Sequence, residues 1–168
     1  ALAEQKMDEV IKRLEKLTEE QNKIMDELSN NADMNNLASR ERRQEQNFKA
    51  LEQTIQEASE SISKFSPDAS EKLQELNASE LKQEVANDLN KTRKELQKQN
   101  QSNSSKSGQS ASDGLNEMLN IAQDIQSEFQ EDTVDEMLRK FLALIRNLLF
   151  ISQKQEYLLS ETQGLRSR

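Results

Sequence analysis

Two serine–lysine pairs, Ser61-Ile-Ser-Lys64 and Ser79-Glu-Leu-Lys82, have the spacing with which some acyl-transfer enzymes let a lysine activate a serine. Neither is accompanied by what that chemistry needs. No Lys-Thr-Gly strand motif follows, and nothing in the chain promises a sheet to carry an oxyanion hole, so the matches read as chance in a sequence rich in Ser and Lys. Carboxylates are the other abundant chemistry. A helical bundle can hold two metals between inward-facing Glu residues, but that arrangement takes Glu-x-x-His partners, and the chain has no His. It also has no Cys, so zinc, haem and iron–sulfur sites of the usual kinds, and Cys-His or Ser-His-Asp nucleophiles, lack their side chains. Ser112-Asp-Gly114 lacks the preceding acidic ligands of a calcium loop. The expectation is no enzyme, no metal and no cofactor.

Charge narrows the partners. The 168 residues include 23 Lys and Arg against 31 Asp and Glu, a net charge of −8, whereas a phosphate-binding surface needs clustered cations. The densest basic group, Arg40, Arg42, Arg43 and Lys49, is interleaved with Glu41 and Glu45, the pattern of a solvated helix face. Nucleic acid is therefore not an expected partner. Asn77, Asn90 and Asn103 each open an Asn-x-Ser/Thr triplet; in a chain so rich in Asn and Ser this reads as coincidence, above all for Asn90 in a helix. Absence of Cys leaves the redox compartment open. No secretory leader opens the chain, and the missing initiator Met reads as a piece cut from a longer protein.

The elements that must position these residues are helices. One Pro, three Gly and 4% aromatic residues leave sheets little material. The mean hydropathy of −0.98 would suit a disordered chain were the apolar residues not periodic. Met7, Val10, Leu14, Leu17, Gln21, Ile24 and Leu28 alternate steps of three and four, the seam of a coiled-coil-like first helix. Ser29-Asn-Asn-Ala-Asp33 breaks it. A second helix over 34–64 has the seam Phe48, Leu51, Ile55, Ala58, Ile62 and Phe65; in its first half Glu41 and Gln44 take the seam positions, which predicts exposure or polar partners there. Ser66 caps and Pro67 opens a third helical region reaching to about residue 99, with a pause at Asn77-Ala-Ser79. The predicted fold is all-α, an antiparallel coiled-coil-like bundle of four to five helices with no sheet, in which residues 1–99 form long helices with breaks near 29–34 and 66–67.

Residues 100–114, dominated by Ser, Asn, Gln and Gly, predict a mobile low-complexity linker. A C-terminal helical hairpin over 115–168 follows. Its first seam is Leu115, Met118, Ala122, Ile125 and Phe129, and the capping box Thr133-Val-Asp-Glu136 starts its last helix, which Gly164 ends. That helix contains the most apolar run of the chain, residues 137–151, with two interlocked spacings that predict a buried hub wrapped by the narrower seams. Leu138, Phe141, Leu144, Ile145, Leu148, Ile151, Tyr157 and Leu158 are the predicted core and interaction residues. The run is too short for a membrane span and includes Arg139, Lys140 and Arg146, each costing about 2.5–3.5 kcal/mol at mid-bilayer. Ser152, Gln153, Gln155 and Glu156 then interrupt the apolar pattern; a hydrogen-bonded layer fixing helix register is preferred here to a docking patch.

Several of these stretches resemble a known family. Gln101-Ser-Asn-Ser-Ser, Leu115-Asn-Glu-Met-Leu119, Met137-Leu-Arg with Leu142, and Asn147-Leu-Leu-Phe-Ile-Ser-Gln-Lys-Gln-Glu156-Tyr-Leu-Leu resemble the tail region of a bacterial family of very large, membrane-anchored, Gln-rich coiled-coil proteins of unknown function. Leu14-Glu-Lys-Leu-Thr-Glu-Glu-Gln-Asn22 is similar to the helices upstream of that tail, and Gln153 stands where the family often has Phe. The resemblance implies a bundle in a membrane-tethered context and no particular reaction. The expected function is a non-enzymatic helical scaffold or protein-interaction module. It would belong to a larger bacterial membrane-associated protein, tethered through parts outside this segment, on a side of the membrane the sequence does not fix. Expected partners are other protein segments of the same full-length protein, with no membrane insertion by this one. The alternative is a regulatory binding module with an apolar groove for a partner helix or hydrophobic ligand.

Overall fold

The computed structural model describes residues 2–30 and 32–166, with side chains described as far as residue 159. The chain is all-α, as its periodicity predicts: α1 (Leu2–Ser29), α2 (Met34–Ile62), α3 (Pro67–Ala78), α4 (Glu80–Gln97) and α5 (Gln101–Arg166), with no strand among the described residues. It divides into two units, residues 1–129 and 130–168.

The first unit is a bundle of four antiparallel legs, and the cross-helix bonds give the direction of each. Lys6 pairs with Glu57 at 2.6 Å while Arg40 pairs with Glu27 at 2.6 Å, so α2 returns along α1. Lys82 meets Glu52 and Arg93 meets Glu45, so α4 returns along α2. Along α5, Gln101 donates to the Leu28 carbonyl at 2.9 Å and Gln126 to Asp8 at 2.7 Å, which sets α5 antiparallel to α1 and closes the bundle. Helices α3 and α4 are two halves of one leg, hinged where Ser79 ends one and caps the other, its hydroxyl accepting from the Lys82 amide at 3.2 Å. That break and the caps at Asp33 and Ser66 fall where the sequence places them, with Pro67 in the first turn where its missing N–H has no intrahelical partner to lose.

The predicted linker is a packed helix. Asn100, not a flexible coil, begins α5: its side-chain oxygen accepts from the Asn103 amide at 3.2 Å and its carbonyl from the Ser104 amide at 3.0 Å. The connection from α4 is a tight turn in which Gln99 takes a positive φ of 57° and the Asn100 amide reaches back to the Glu95 carbonyl. Ser104, Ser107, Ala111 and Leu115 are buried, and with Gly108 they extend the Leu115–Phe129 seam backwards at the same three–four spacing. The seam was invisible because its residues are small. Small residues let α5 lie close to its neighbours: a methyl group on Gly108 would sit 2.2 Å from the Met25 sulfur, and one on Gly114 would sit 2.5 Å from Val85 Cγ2.

The apolar run 137–151, expected as a buried hub, is exposed. The bundle core is built from α1 to α4 and the first part of α5, with Met7, Leu14, Leu51, Ile55, Leu73, Leu89 and Leu115 among its fully buried side chains. None of the predicted hub residues belongs to it. Leu138, Phe141, Leu144, Ile145, Leu148, Ile151, Tyr157 and Leu158 are exposed, Ile145 least at 39%. The reason is that four narrow seams already cover one another, the small-residue start of α5 supplying the fourth leg. Thr133 opens no new helix either: α5 runs through 130–136 without a break, so the expected hairpin over 115–168 is a single helix as far as it is described.

Candidate functional site

Two features stand apart from ordinary apolar packing. One is a polar layer inside the bundle. Apolar side chains form a large cluster from Ala3 to Leu17 on α1, with its partners on the other helices, and a smaller one of Ile24, Met25, Leu28, Leu37, Ala38 and Leu96. Between them the seam positions are Gln21 on α1, Glu41 and Gln44 on α2, Thr92 on α4 and Ser107 on α5, all buried. Gln44 donates to the Leu17 carbonyl at 2.7 Å, and the Thr92 and Ser107 hydroxyls meet at 2.9 Å. Glu41, fully buried, makes no hydrogen bond of ordinary geometry, and neither do the Gln21 amide and the Thr18 hydroxyl beside it. Burial pushes the Glu41 carboxyl up to about 8, the Gln21 amide opposing the rise and Glu45 adding to it. Glu45 is itself held by Arg93 at 2.5 Å, and Glu20, which also repels Glu41, by Arg40 at 2.8 Å. Of the two outcomes the sequence leaves open for this stretch of α2, exposure or polar partners, burial among polar side chains is what the structure shows, with a well-formed hydrogen bond for Gln44 and only the nearby Gln21 amide for Glu41.

The other feature is the helix of the second unit. At about 100° per residue, Val134, Met137, Leu138, Phe141, Leu142, Leu144, Ile145, Leu148, Leu149 and Ile151 fall on one arc of about half the circumference, and every one of them is exposed. The opposite side carries Arg139, Arg146, Ala143, Asn147, Lys154 and Lys140, with Phe150 as the one large apolar intruder, 4.9 Å under the Lys154 ammonium. No acidic residue occurs from 137 to 155. Lys140 pairs with Glu136 one turn back at 2.7 Å; among the described residues Arg139 and Arg146 form no ion pair. Beyond Ile151 the same arc continues through Ser152, Gln155 and Glu156, exposed here rather than hydrogen-bonded in a layer, and resumes with Leu159.

The sequence pattern places the large apolar side chains of this helix in a core, whereas they are exposed. It does not single out Glu41 as a buried acid, although a Glu on a heptad seam position was the available signal. Among the described residues no cluster of three or more metal-ligating side chains occurs, and no helix is long and apolar enough to cross a membrane. In the two Ser-x-x-Lys pairs, Ser61 donates to the Glu57 carbonyl, Ser79 caps α4, and Lys82 donates to Asn77 and pairs with Glu52. Comparison with known protein families, with curated proteins and with solved structures finds no match.

Proposed function

We propose that this chain is a non-enzymatic protein-interaction module in which a self-sufficient helical bundle carries an exposed apolar helix for docking to other protein segments. The observation that carries this reading is the arc from Val134 to Ile151: ten large apolar side chains, 39% to 67% exposed, on one side of one helix. An apolar strip of that extent is costly in water and marks a surface that acts covered. The bundle has a buried apolar core of its own. The resemblance of the C-terminal third to the tails of bacterial membrane-anchored coiled-coil proteins supports placing the module within a larger membrane-associated protein, with the anchor outside this segment. Of the two functions expected from sequence, a scaffold or protein-interaction module and a regulatory module with an apolar groove, an exposed convex arc supports the interaction module.

The test is a triple change, Phe141→Ser, Leu144→Ser and Leu148→Ser, read by binding of a hydrophobic dye and by thermal melting. The native chain should take up dye, and the variant should lose most of that uptake with its bundle melting unchanged. A native chain that binds no dye, or a variant whose melting point drops steeply, would show the arc to be internal packing.

A further inference from the structure

Within the bundle, the apolar seams between α1 and α2, α2 and α4, and α3 and α5 are flanked by cross-helix pairs of a basic and an acidic residue. Lys6–Glu57 and Arg40–Glu20 border α1 and α2, Arg93–Glu45 and Lys82–Glu52 border α2 and α4, and Lys72–Glu128 borders α3 and α5. The helix of the second unit carries half of such a border. Lys140 and Asn147 lie along one edge of its apolar arc, Arg146 and Arg139 along the other, and no carboxylate stands on either edge between 137 and 155. Resting on the docking function proposed above, we infer that the occupant of the arc is one or more acidic amphipathic helices, whose carboxylates meet Arg139, Arg146 and Lys140 while their apolar seam covers Phe141, Ile145 and Leu148. A second copy of the same helix would set basic edge against basic edge, which is repulsive.

The arc's polar interruption argues for protein over lipid. Ser152, Gln155 and Glu156 occupy the apolar arc between Ile151 and Leu159, so a helix lying in a bilayer surface would press an amide and a carboxylate toward the acyl chains, where nothing can bond them. Against helices the same residues make a layer. The bundle already has this plan, with Gln21, Glu41, Gln44, Thr92 and Ser107 between two apolar clusters.

The chain has a native reporter for the test, since its single Tyr, Tyr157, lies on this helix and there is no Trp. The full chain would be titrated, with Tyr157 fluorescence and calorimetry as readouts, using a synthetic helix with Leu on its seam and Glu along both edges, the same helix with Lys for Glu, and vesicles of phosphatidylglycerol and phosphatidylcholine. The acidic helix should bind saturably, more weakly as salt rises, and at least about tenfold better than the basic one. Arg139→Glu with Arg146→Glu should invert that preference, which a purely structural role for the arginines would not do. Equal binding of the two helices overturns the acidic-partner inference and leaves the docking function standing. Binding of neither helix overturns both, as does binding of the vesicles alone, and a stable dimer of the chain, seen by sedimentation and unaffected by the charge reversals, overturns the inference in favour of self-association.

Discussion

Replacing Glu41 by Gln should make the bundle more stable at neutral pH, and the gain should vanish in acid. In the folded chain the Glu41 carboxyl holds its proton up to about 8, against an ordinary value of 4.5. Below 4.5 both folded and unfolded chains are protonated at this group and nothing is lost. As pH rises from there toward 8, the unfolded chain releases its proton while the folded chain does not, so stability falls by about 1.4 kcal/mol per pH unit. The loss amounts to on the order of 3 kcal/mol at pH 7 and levels off near 5 kcal/mol above pH 8. Gln, of nearly the same shape and without charge at any pH, escapes it. Urea melts of the native chain and of Glu41→Gln from pH 5 to 9 measure the difference directly. Salt bridges elsewhere respond alike in the two proteins and cancel. A difference that stays flat between pH 5 and 8 would refute the reasoning, because it would mean that the carboxylate is solvated or paired in the folded chain.

Other perturbations separate core from surface. Leu14→Ala, at a fully buried site, should cost about 2–5 kcal/mol, whereas Ile145→Ala, on the exposed arc, should change the urea midpoint of the bundle by less than about 1 kcal/mol. Gly114→Ala should destabilise by about 1–3 kcal/mol in thermal melts, because the new methyl meets the stiff Val85 side chain at 2.5 Å. Gly108→Ala should be better tolerated, since the atom in its way is the end of the flexible Met25 side chain and Ala gains up to about 1 kcal/mol in helix propensity. Deleting five residues from 104–108 should unfold the bundle rather than shorten a linker, because a five-residue deletion rotates Ala111, Leu115 and Met118 off the seam; a circular dichroism spectrum and melting point close to native would contradict this. On the acid side, the Glu9, Glu57 and Glu95 carboxyls are held below their usual range mainly by Arg13, Lys6 and Lys98 respectively. Their contribution is present above pH 4.5 and is lost as pH falls below it, which melts in acid at low and high salt would reveal as a salt-sensitive decline.

The sequence by itself determined what is local. The three–four spacing of Met7 through Leu28 and of Phe48 through Ile62, the Ser66-Pro67 start and the Ser79 hinge act over a few residues, through side-chain direction and backbone capping, and each forms where its own residues dictate. The apolar, basic character of 137–155 was likewise written in the chain. What only the tertiary structure decided is which surfaces cover which. Ser104, Ser107, Gly108 and Ala111 have small side chains with little apolar surface, so nothing local marks them as a seam; they become one because α1 and α4 present Met25 and Thr92 at a distance that only small side chains allow. With that leg filled, the bundle has its core without the hub, and the most apolar run of the chain has its side chains exposed while Glu41 is buried. Hydrophobicity fixes how much a residue gains from burial, but the neighbour that buries it is supplied from elsewhere in the chain, and no spacing along one helix contains that information.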